Sequence, residues 1–395
     1  MKIKVCKWKN NAKSPVMFMV DDLANVWVDL SGNGKIDRGE DWGYAKYEEN
    51  SSITFLEEEI LNQFPDVKVN FYVPVGKRIG MVRDSDIYMY SNPINENKST
   101  IEFFRSLNND SRYELSYHGL THGEVYNKPE DQKQEWECYS SLNEALETID
   151  AGKAIFREVT GEYPKGGKYC GYTKGKYGDE SIDKSNFLWW NRNLNYINVK
   201  KYCGDDDNKI TNFDIKIFGE NNVIDIPSTL GGDIFNTKSS SRIKTVVKRI
   251  LKFYMEIKGK KEIDFLLKNN LVISIQEHIS PARDDGKVQT PNIFDDKESL
   301  IKIFKYLKDK NVWYCTGTEL AKYVSVRDKI KIVKKNNNSF AFSEIDFNDR
   351  KNHEISVKID LKCDKIMQPN KVIVSSVNNI FNLEIMEGNY KILGD

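Results

Sequence analysis

Short apolar segments alternate with segments of helical spacing through most of the chain, and this alternation limits what the chain can fold into. Residues 16–20 (VMFMV), 67–75 (VKVNFYVPV) and 271–275 (LVISI) are apolar or β-branched runs of strand length. Between such runs, apolar residues recur at helical spacing, as in 142–160, which Gly161 follows. Strands that alternate with helices are typical of parallel βα units. The pattern therefore predicts an α/β fold.

The other segments extend this alternation, with β-branched or aromatic runs between stretches of helical spacing. We predict strands at 113–116, 223–226 and 312–315, and helices at 53–64, 101–107, 243–255, 300–307 and 319–324. The lysine-rich segment Lys258–Lys261 is predicted to be a solvent-exposed loop after the long helix.

The pattern changes after about residue 326. Residues 356–362, 371–376 and 381–386 are short alternating runs between Asn-rich turns, without a helical period. We therefore predict two domains, an α/β domain at 1–325 and a β-rich domain at 326–395. A chain of 395 residues suits one large domain and one small domain.

Composition and charge exclude several classes of protein. Lys+Arg and Asp+Glu both total 59, so there is no basic excess of the kind that nucleic-acid binding needs. No apolar run is long enough for a transmembrane helix, and the N-terminal residues lack the apolar segment of a secretory signal. The six cysteines are widely spaced without a CxxC pair, which favours reduced thiols. We therefore expect a cytoplasmic protein, and nothing in the sequence predicts its oligomeric state.

Acidic and imidazole side chains follow the ends of three predicted strands. Asp21 and Asp22 follow the first, His118 and His122 follow another, and His278 ends a third. Because α/β folds place active sites at the carboxyl ends of parallel strands, we expect these residues to lie together. On a helical turn, an HxxxH pair presents both imidazoles to one metal ion, and a carboxylate as third ligand leaves a position for water. Taken singly, the acidic pair also suits a helix N-cap, and a histidine after a strand also suits a structural hydrogen bond.

The same segments resemble the motifs of the polysaccharide deacetylase family (NodB-homology, carbohydrate esterase family 4-like). MVDD resembles the first motif, YELSYHGLTH is similar to the second, and VISIQEH fits the last; the likeness spans residues 14–325. The resemblance implies a distorted (β/α)7-type barrel with a small C-terminal antiparallel β-domain. The barrel would then be the catalytic domain, at 1–325.

The resemblance also implies a reaction and a role for each residue. Asp22, His118 and His122 would bind a divalent transition metal, zinc by preference, while Asp21 acts as general base and His278 as general acid. The implied enzyme is a metal-dependent hydrolase that removes an N-acyl group, acetyl in the first instance, from an amino sugar or glycan precursor. The expected partner is that N-acylated sugar, in a step of glycan biosynthesis.

The chain departs from the family at the third motif, R-x-P-x-G, where GGKYCGY stands instead. Lys168 is a candidate to orient the base in place of the arginine, although an ammonium group lacks the bidentate fork of a guanidinium group. Cys170 is either a neighbour of the metal or a buried thiol without a role in binding. Tyr169, Gly171 and Trp190 are further candidates for contact with substrate or for orienting the site.

Two alternatives to a deacetylase remain open, and the altered motif favours the first of them. One is a carbohydrate-binding or assembly protein that retains a relic of the site, with the β-rich domain as its recognition module. The other is a deformylase, or another C–N hydrolase, that acts on a linked sugar. Metal content and the acyl group released would distinguish these alternatives.

Residues 29–40 match a twelve-residue EF-hand calcium loop, with Gly34 at the sharp turn and Ile36 at the apolar eighth position. No helix is predicted before the loop, whereas an EF-hand has one, so a calcium site and a polar turn remain open as alternatives. The candidate ligands of the second metal are Asp29, Ser31, Asn33, Lys35, Asp37 and Glu40.

Overall fold

A computed structural model describes residues 2–194, 213–236, 245–347, 353–360 and 363–393. Contacts between residues divide the chain into two compact units. We name them the barrel unit, residues 16–309 and 314–318, and the terminal unit, residues 1–15, 310–313 and 319–395. These units are defined by contacts alone and do not test whether each domain folds independently. The predicted domain boundary near residue 326 therefore stays a prediction.

The described residues form short strands and mostly short helices. The strands are β1 (Ile3–Val5), β2 (Ser14–Asp21), β3 (Val26–Asp29), β4 (Val69–Val73), β5 (Tyr88–Ser91), β6 (Tyr113–Tyr117), β7 (Gly123–Glu124), β8 (Lys133–Gln134), β9 (Gly166–Lys168), β10 (Trp189–Asn191), β11 (Lys216–Phe218), β12 (Val223–Asp225), β13 (Leu230–Gly231), β14 (Ile273–His278), β15 (Val312–Tyr314), β16 (Lys331–Asn336), β17 (Ser339–Ser343), β18 (Glu354–Ile359), β19 (Lys365–Met367), β20 (Ile373–Ser375), β21 (Ile380–Glu384) and β22 (Asn389–Leu393). The helices are α1 (Ser52–Glu59), α2 (Lys98–Asn109), α3 (Glu135–Cys138), α4 (Leu142–Thr160), α5 (Gly178–Lys184), α6 (Thr245–Lys268), α7 (Lys297–Leu307) and α8 (Gly317–Arg327).

One large sheet forms the centre of the barrel unit. Its strands pair in the order β11-β12-β10-β9-β6-β4-β2-β14-β13, and every neighbouring pair is parallel except β11 with β12. Strand β2 is buried along its whole length, as are β4 and β9. Parallel strands covered on both faces are expected to be apolar runs, as the sequence of β2 is. The predicted fold class, a distorted (β/α)7-type barrel with a small antiparallel β-domain, is confirmed.

The terminal unit is built from antiparallel strands. One sheet has the order β16-β17-β22-β19-β20, and the other has the order β1-β18-β21, so that the N-terminal strand pairs with a C-terminal one. Its core includes the aromatic side chains Phe340, Phe342 and Tyr390, which contact one another. Alternating apolar residues on the strands therefore bury one face, as their sequence pattern indicates.

Helix boundaries differ from prediction mainly in two places. The helix predicted at 53–64 ends at Glu59, and the predicted loop Lys258–Lys261 is wrong because α6 continues to Lys268. Lys258 and Lys260 pair with glutamates one helical turn away, which supports a helix through the lysine-rich segment. Gly259 lies against the ring of Phe235, where a Cβ atom would approach Cε1 to 2.5 Å. The glycine therefore serves close packing and does not end the helix.

Parts of two predictions fall outside the described residues, namely the start of the helix predicted at 243–255 and Cys203. The other five cysteines form no disulfide with one another. Across the described ranges, no helix combines the length and the apolar character that crossing a membrane requires.

Candidate active site

The structure brings the five residues singled out by their positions after strands to one edge of the central sheet. Asp21 ends β2 and lies in register with His278, the last residue of the neighbouring strand β14. His118 directly follows β6, and Lys168 ends β9, the strand paired with β6. The carboxyl ends of these parallel strands therefore deliver acid, base and imidazole groups to a common site, as expected for the fold class.

Three of these residues direct their potential metal-ligand atoms at one another. Oδ1 of Asp22 lies 3.2 Å from Nε2 of His122 and 3.6 Å from Nε2 of His118. All three side chains are buried, and Oδ1 of Asp22 accepts no hydrogen bond from any described residue. Bonds of about 2.0–2.1 Å to a tetrahedral metal ion would set neighbouring ligand atoms about 3.4 Å apart. The spacing and the donor types of this group therefore fit a zinc-like ion.

The ring of His118 is oriented by the backbone. Its Nδ1 lies 2.9 Å from the carbonyl oxygen of Lys168, which can only accept, so Nδ1 carries the proton and Nε2 presents a lone pair to Asp22. Burial lowers the pKa of His118 to about 4, which keeps the ring neutral at physiological pH. A neutral imidazole that donates Nδ1–H to a carbonyl group is the usual state of a metal-binding histidine.

The helical turn predicted for the HxxxH pair is wrong. Gly119 and His122 have φ angles of +87° and +73°, in the left-handed region, and the segment forms an irregular loop. The two imidazoles nevertheless meet, with ring centroids 5.2 Å apart. The carboxylate of Glu135 supplies the loop with the hydrogen bonds that a helix would have provided, since it accepts from the backbone of Leu120, Thr121 and His122.

The second oxygen of Asp22 is fixed by two residues that the sequence did not single out. Oδ2 accepts from Nη2 of Arg78 at 3.2 Å and from Nε2 of Gln289 at 3.0 Å. Arg78 is itself buried and stacks over the ring of Trp42 at 4.5 Å. Burial alone would raise the pKa of Asp22, but Arg78 and His122 outweigh it and hold this pKa well below its usual range. Asp22 is therefore an anion with one oxygen held and the other open.

Asp21 is held by a lysine from the altered third motif. The ammonium group of Lys168, fully buried, contacts Oδ2 of Asp21 and Oε1 of Gln276. Burial lowers the pKa of Lys168, and the Asp21 carboxylate opposes that shift. Oδ1 of Asp21 has no hydrogen-bond partner among the described residues. Lys168 thus contacts the residue that it was predicted to orient.

His278 faces Asp21 across the site. Its Nδ1 lies 2.6 Å from the carbonyl oxygen of Pro291, and its Nε2 lies 3.9 Å from Oδ2 of Asp21. Burial lowers its pKa, although the two aspartates oppose the shift. The ring is therefore fixed with Nε2 toward the acids.

Of the remaining candidates in this segment, only Gly171 lines the cavity. Tyr169 and Trp190 are fully buried, with ring centroids 5.3 Å apart, and both contact Trp136. Tyr169 donates from its hydroxyl to Asp179. These two aromatic side chains support the strands behind the site and do not reach its surface.

Cys170 lies close enough to the histidines to be a ligand. Donor atoms of His118, His122 and Cys170 all lie within 4.8 Å of one another, so these three residues could also hold a metal ion. In the structure the thiol donates to the carbonyl oxygen of His118 at 3.2 Å, and burial raises its pKa well above the usual range. The site therefore offers two candidates for the third ligand, Asp22 and Cys170.

A cavity of about 360 Å³ opens over these groups. It is lined by Asp21, Asp22, both histidines of the loop and His278, together with uncharged amide side chains. One amide, Gln132, has a buried Nε2 without a hydrogen-bond partner among the described residues. Arg78 and apolar side chains such as Met81 and Leu194 complete the lining. Apolar walls with a few polar groups are typical of sites that bind small molecules.

The predicted calcium loop folds around its own acids. Asp29, the last residue of β3, accepts from the backbone of Gly34 at 2.9 Å, and Glu40 accepts from the backbone of Ser31 and Asp37 at 2.9 and 3.0 Å. A strand precedes the loop, in agreement with the sequence, which predicts no helix there. First and last acids of the loop therefore point inward, and its calcium binding stays a prediction.

No protein-family model and no curated protein matches the sequence, but solved structures match the fold. A protein named as a probable polysaccharide deacetylase from Pseudomonas aeruginosa PAO1 is 14% identical, with a TM-score of 0.48 over 81% of this chain and 93% of that one. Puue allantoinase is 14% identical, with a TM-score of 0.47 over 81% and 92%. A family 4 acetyl xylan esterase from Clostridium thermocellum, solved with a cobalt ion, is 13% identical, with a TM-score of 0.34 over 78% and 90%.

The resemblance to polysaccharide deacetylases seen in the sequence is thus accompanied by similarity in structure. Because every one of these TM-scores is below 0.5, the roles assigned below rest on the residues of this chain.

Proposed function

We propose that this protein is a metal-dependent hydrolase that removes an N-acyl group, acetyl in the first instance, from an amino sugar or glycan precursor. The observation that carries the proposal is the convergence of Asp22, His118 and His122 at metal-ligand spacing. Asp21 and His278 flank this group with acid–base functions. Three protein ligands leave a coordination position for water, as hydrolytic zinc sites do.

Asp22, His118 and His122 would hold the ion through Oδ1 and the two Nε2 atoms. When bound, such an ion polarises an amide carbonyl and lowers the pKa of water. Arg78 and Gln289 keep Oδ2 of Asp22 occupied, so that its other oxygen remains turned toward the histidines. The donor set of two imidazoles and one carboxylate favours zinc or a related transition metal over magnesium.

Asp21 and His278 would move the protons of the reaction. Oδ1 of Asp21, which has no hydrogen-bond partner among the described residues, takes a proton as the water oxygen attacks the acyl carbon. Lys168 holds Oδ2 of the same carboxylate and thereby fixes its direction. As the C–N bond breaks, protonated Nε2 of His278 gives its proton to the nitrogen, since Nδ1 is committed to Pro291. Asp21, 3.9 Å away, stabilises the imidazolium form that this step needs.

Asp22 is a better third ligand than Cys170 on the geometry. Its Oδ1 lies 3.2 and 3.6 Å from the two imidazole nitrogens and accepts no hydrogen bond from the residues that the structure describes, whereas the thiol already donates to the carbonyl oxygen of His118. A site with the thiolate as a fourth protein ligand would also be closed to water, as structural zinc sites are.

We therefore expect Cys170→Ser to retain the metal stoichiometry of the wild-type protein. A bond between Co²⁺ and a thiolate gives strong charge-transfer absorption in the near ultraviolet, so the Co²⁺-loaded wild-type protein should lack that band. The measurement is the absorption spectrum of both Co²⁺-loaded proteins. A band in the wild-type spectrum that is lost in the variant would assign Cys170 as a ligand.

The reaction is tested by release of carboxylic acid from a panel of N-acetyl and N-formyl hexosamines, free and linked. We expect acetate release that depends on added Zn²⁺ or Co²⁺ and stops with a chelator. Release of formate alone would show that the reaction is a deformylation and not a deacetylation. Binding of the sugars without release of either acid, in protein loaded with metal, would favour the relic carbohydrate-binding protein.

We further propose that residues 29–40 bind Ca²⁺ through their inward-pointing acids. A ligand that binds only the folded protein at 100 times its Kd stabilises it by about 2.7 kcal/mol, so saturating Ca²⁺ should raise the midpoint of thermal unfolding. Asp29→Ala should abolish this increase, whereas Glu48→Gln, at an exposed acid outside the loop, should keep it. A midpoint that Ca²⁺ leaves unchanged in the wild-type protein would identify the loop as a plain polar turn.

A further inference from the structure

The loop that carries the two metal-binding histidines is wrapped around one buried carboxylate. Glu135 accepts from the backbone N–H groups of Leu120, Thr121 and His122, at 2.9, 2.7 and 2.9 Å. It also accepts, at 2.8 Å, from the hydroxyl of Tyr139, the residue that directly follows α3. Only about 3% of Glu135 is exposed. A single side chain thus receives the hydrogen bonds of three consecutive residues that end at His122.

No cation balances this charge within the described part of the chain, where Glu135 takes part in no ion pair. Converging backbone N–H groups therefore stabilise the carboxylate, as they do for anions bound in backbone nests. The loop also gains from these bonds, because it has no helical hydrogen bonds of its own, and its residues are half-buried at Leu120 and Thr121 and buried at His122. A buried N–H group without an acceptor costs free energy, so the loop depends on this one acceptor.

Backbone geometry ties the carboxylate to the position of His122. Gly123, the next residue, pairs with Gln134 between strands β7 and β8, so that Glu135 is delivered beside the loop. Gly119 has a φ angle of +87°, and a Cβ atom on it would lie 2.6 Å from Oε2 of Glu135. Loop and carboxylate therefore fit together closely, with no space for a side chain at Gly119.

We propose that Glu135 is a positioning residue for the metal site, which holds His122 at the distance from His118 and Asp22 that a shared ion requires. This inference rests on the proposed function, since it assigns Glu135 a purpose only if those three residues bind metal. It explains how an HxxxH pair can converge without a helix. His122 has a left-handed backbone, which a non-glycine residue adopts at a cost, and the carboxylate stabilises that conformation.

The test is metal affinity in the full-length protein, measured by competition with a chromogenic chelator. Glu135→Gln keeps the shape of the side chain but loses the charge and one acceptor oxygen, and it should weaken Zn²⁺ binding by about 10–100-fold. Glu135→Asp keeps the charge on a shorter side chain and should recover part of the affinity. Tyr139→Phe is the matched control, because it removes one hydrogen bond to the carboxylate and none from the loop. We expect less than about a threefold change in its affinity, well below the effect of Glu135→Gln.

Thermal unfolding of the metal-free proteins separates positioning from a general loss of stability. A purely structural role would lower the midpoints of Glu135→Gln and Tyr139→Phe alike while the folded protein bound Zn²⁺ as tightly as before. Unchanged affinity in folded Glu135→Gln would overturn the inference and leave the proposed function intact. Wild-type protein that binds no metal would contradict the proposed function itself. If Glu135→Gln does not fold, Glu135→Asp serves the same comparison. Wild-type Zn²⁺ affinity in Glu135→Asp, together with an unchanged absorption spectrum of its Co²⁺-loaded form, would then overturn the inference.

Discussion

Replacement of His118 by alanine is expected to abolish stoichiometric metal binding and to lower hydrolysis by about 10³-fold. His118 supplies one of three ligand atoms, and its orientation by the carbonyl of Lys168 cannot be transferred to another residue. A Lewis-acid metal contributes several kcal/mol to the stabilisation of the transition state, and about 1.4 kcal/mol corresponds to a factor of ten. The measurements are metal content by elemental analysis after dialysis and acid release from the best N-acyl sugar.

The chain provides a matched control in His353, the one histidine outside the site. It lies in the terminal unit, where it directly precedes β18, and the proposed mechanism does not use it. His353→Ala should retain both metal and activity. If His118→Ala also retained both, the assignment of the metal site would be wrong. If it lost activity but kept one metal ion per chain, the ion would have to be bound elsewhere, with the calcium loop as the first place to examine.

The sequence predicts the placement of the acids and imidazoles well because it depends on chain topology. Asp21, His118 and His278 each follow a short apolar run, and parallel strands bring their carboxyl ends to one edge. The strand pattern therefore determines which side chains meet, although it does not determine the distances between their atoms.

Other parts of the site could not be predicted, because they depend on contacts between residues far apart in the chain. Arg78 and Gln289 come from loops without a periodic pattern, and their contact with Asp22 spans 56 and 267 residues. The irregular HxxxH loop depends on a carboxylate from another segment, so local spacing suggested a helix where the tertiary contact selects a loop. Fully buried aromatic residues such as Trp190 resemble substrate platforms in sequence, since composition does not reveal which face of a strand is covered.

Asp21→Asn is expected to lower kcat by about 10²–10⁴-fold while the metal remains bound. That range is the usual contribution of a positioned general base. The amide has nearly the shape of the carboxylate but cannot take up the proton from water. Since the substrate is proposed to be held by the metal and the cavity walls, KM should change much less than kcat. Steady-state kinetics on protein with a measured metal content provide the test.

The neighbouring substitution Asp22→Asn separates the two acids. Both variants replace a buried carboxylate by an amide, so a general effect of lost charge would be similar in each. We expect metal loss only in Asp22→Asn, because Asp22 lies at ligand distance from both imidazoles, whereas Asp21 lies beside Lys168 and His278. In Asp21→Asn the buried ammonium group of Lys168 loses its carboxylate partner, which destabilises the folded protein. The value of kcat must therefore be calculated for the folded, metal-loaded fraction. If Asp21→Asn lost the metal and Asp22→Asn kept it, the two roles would have to be exchanged; near-normal kcat in metal-loaded Asp21→Asn would remove Asp21 from the mechanism.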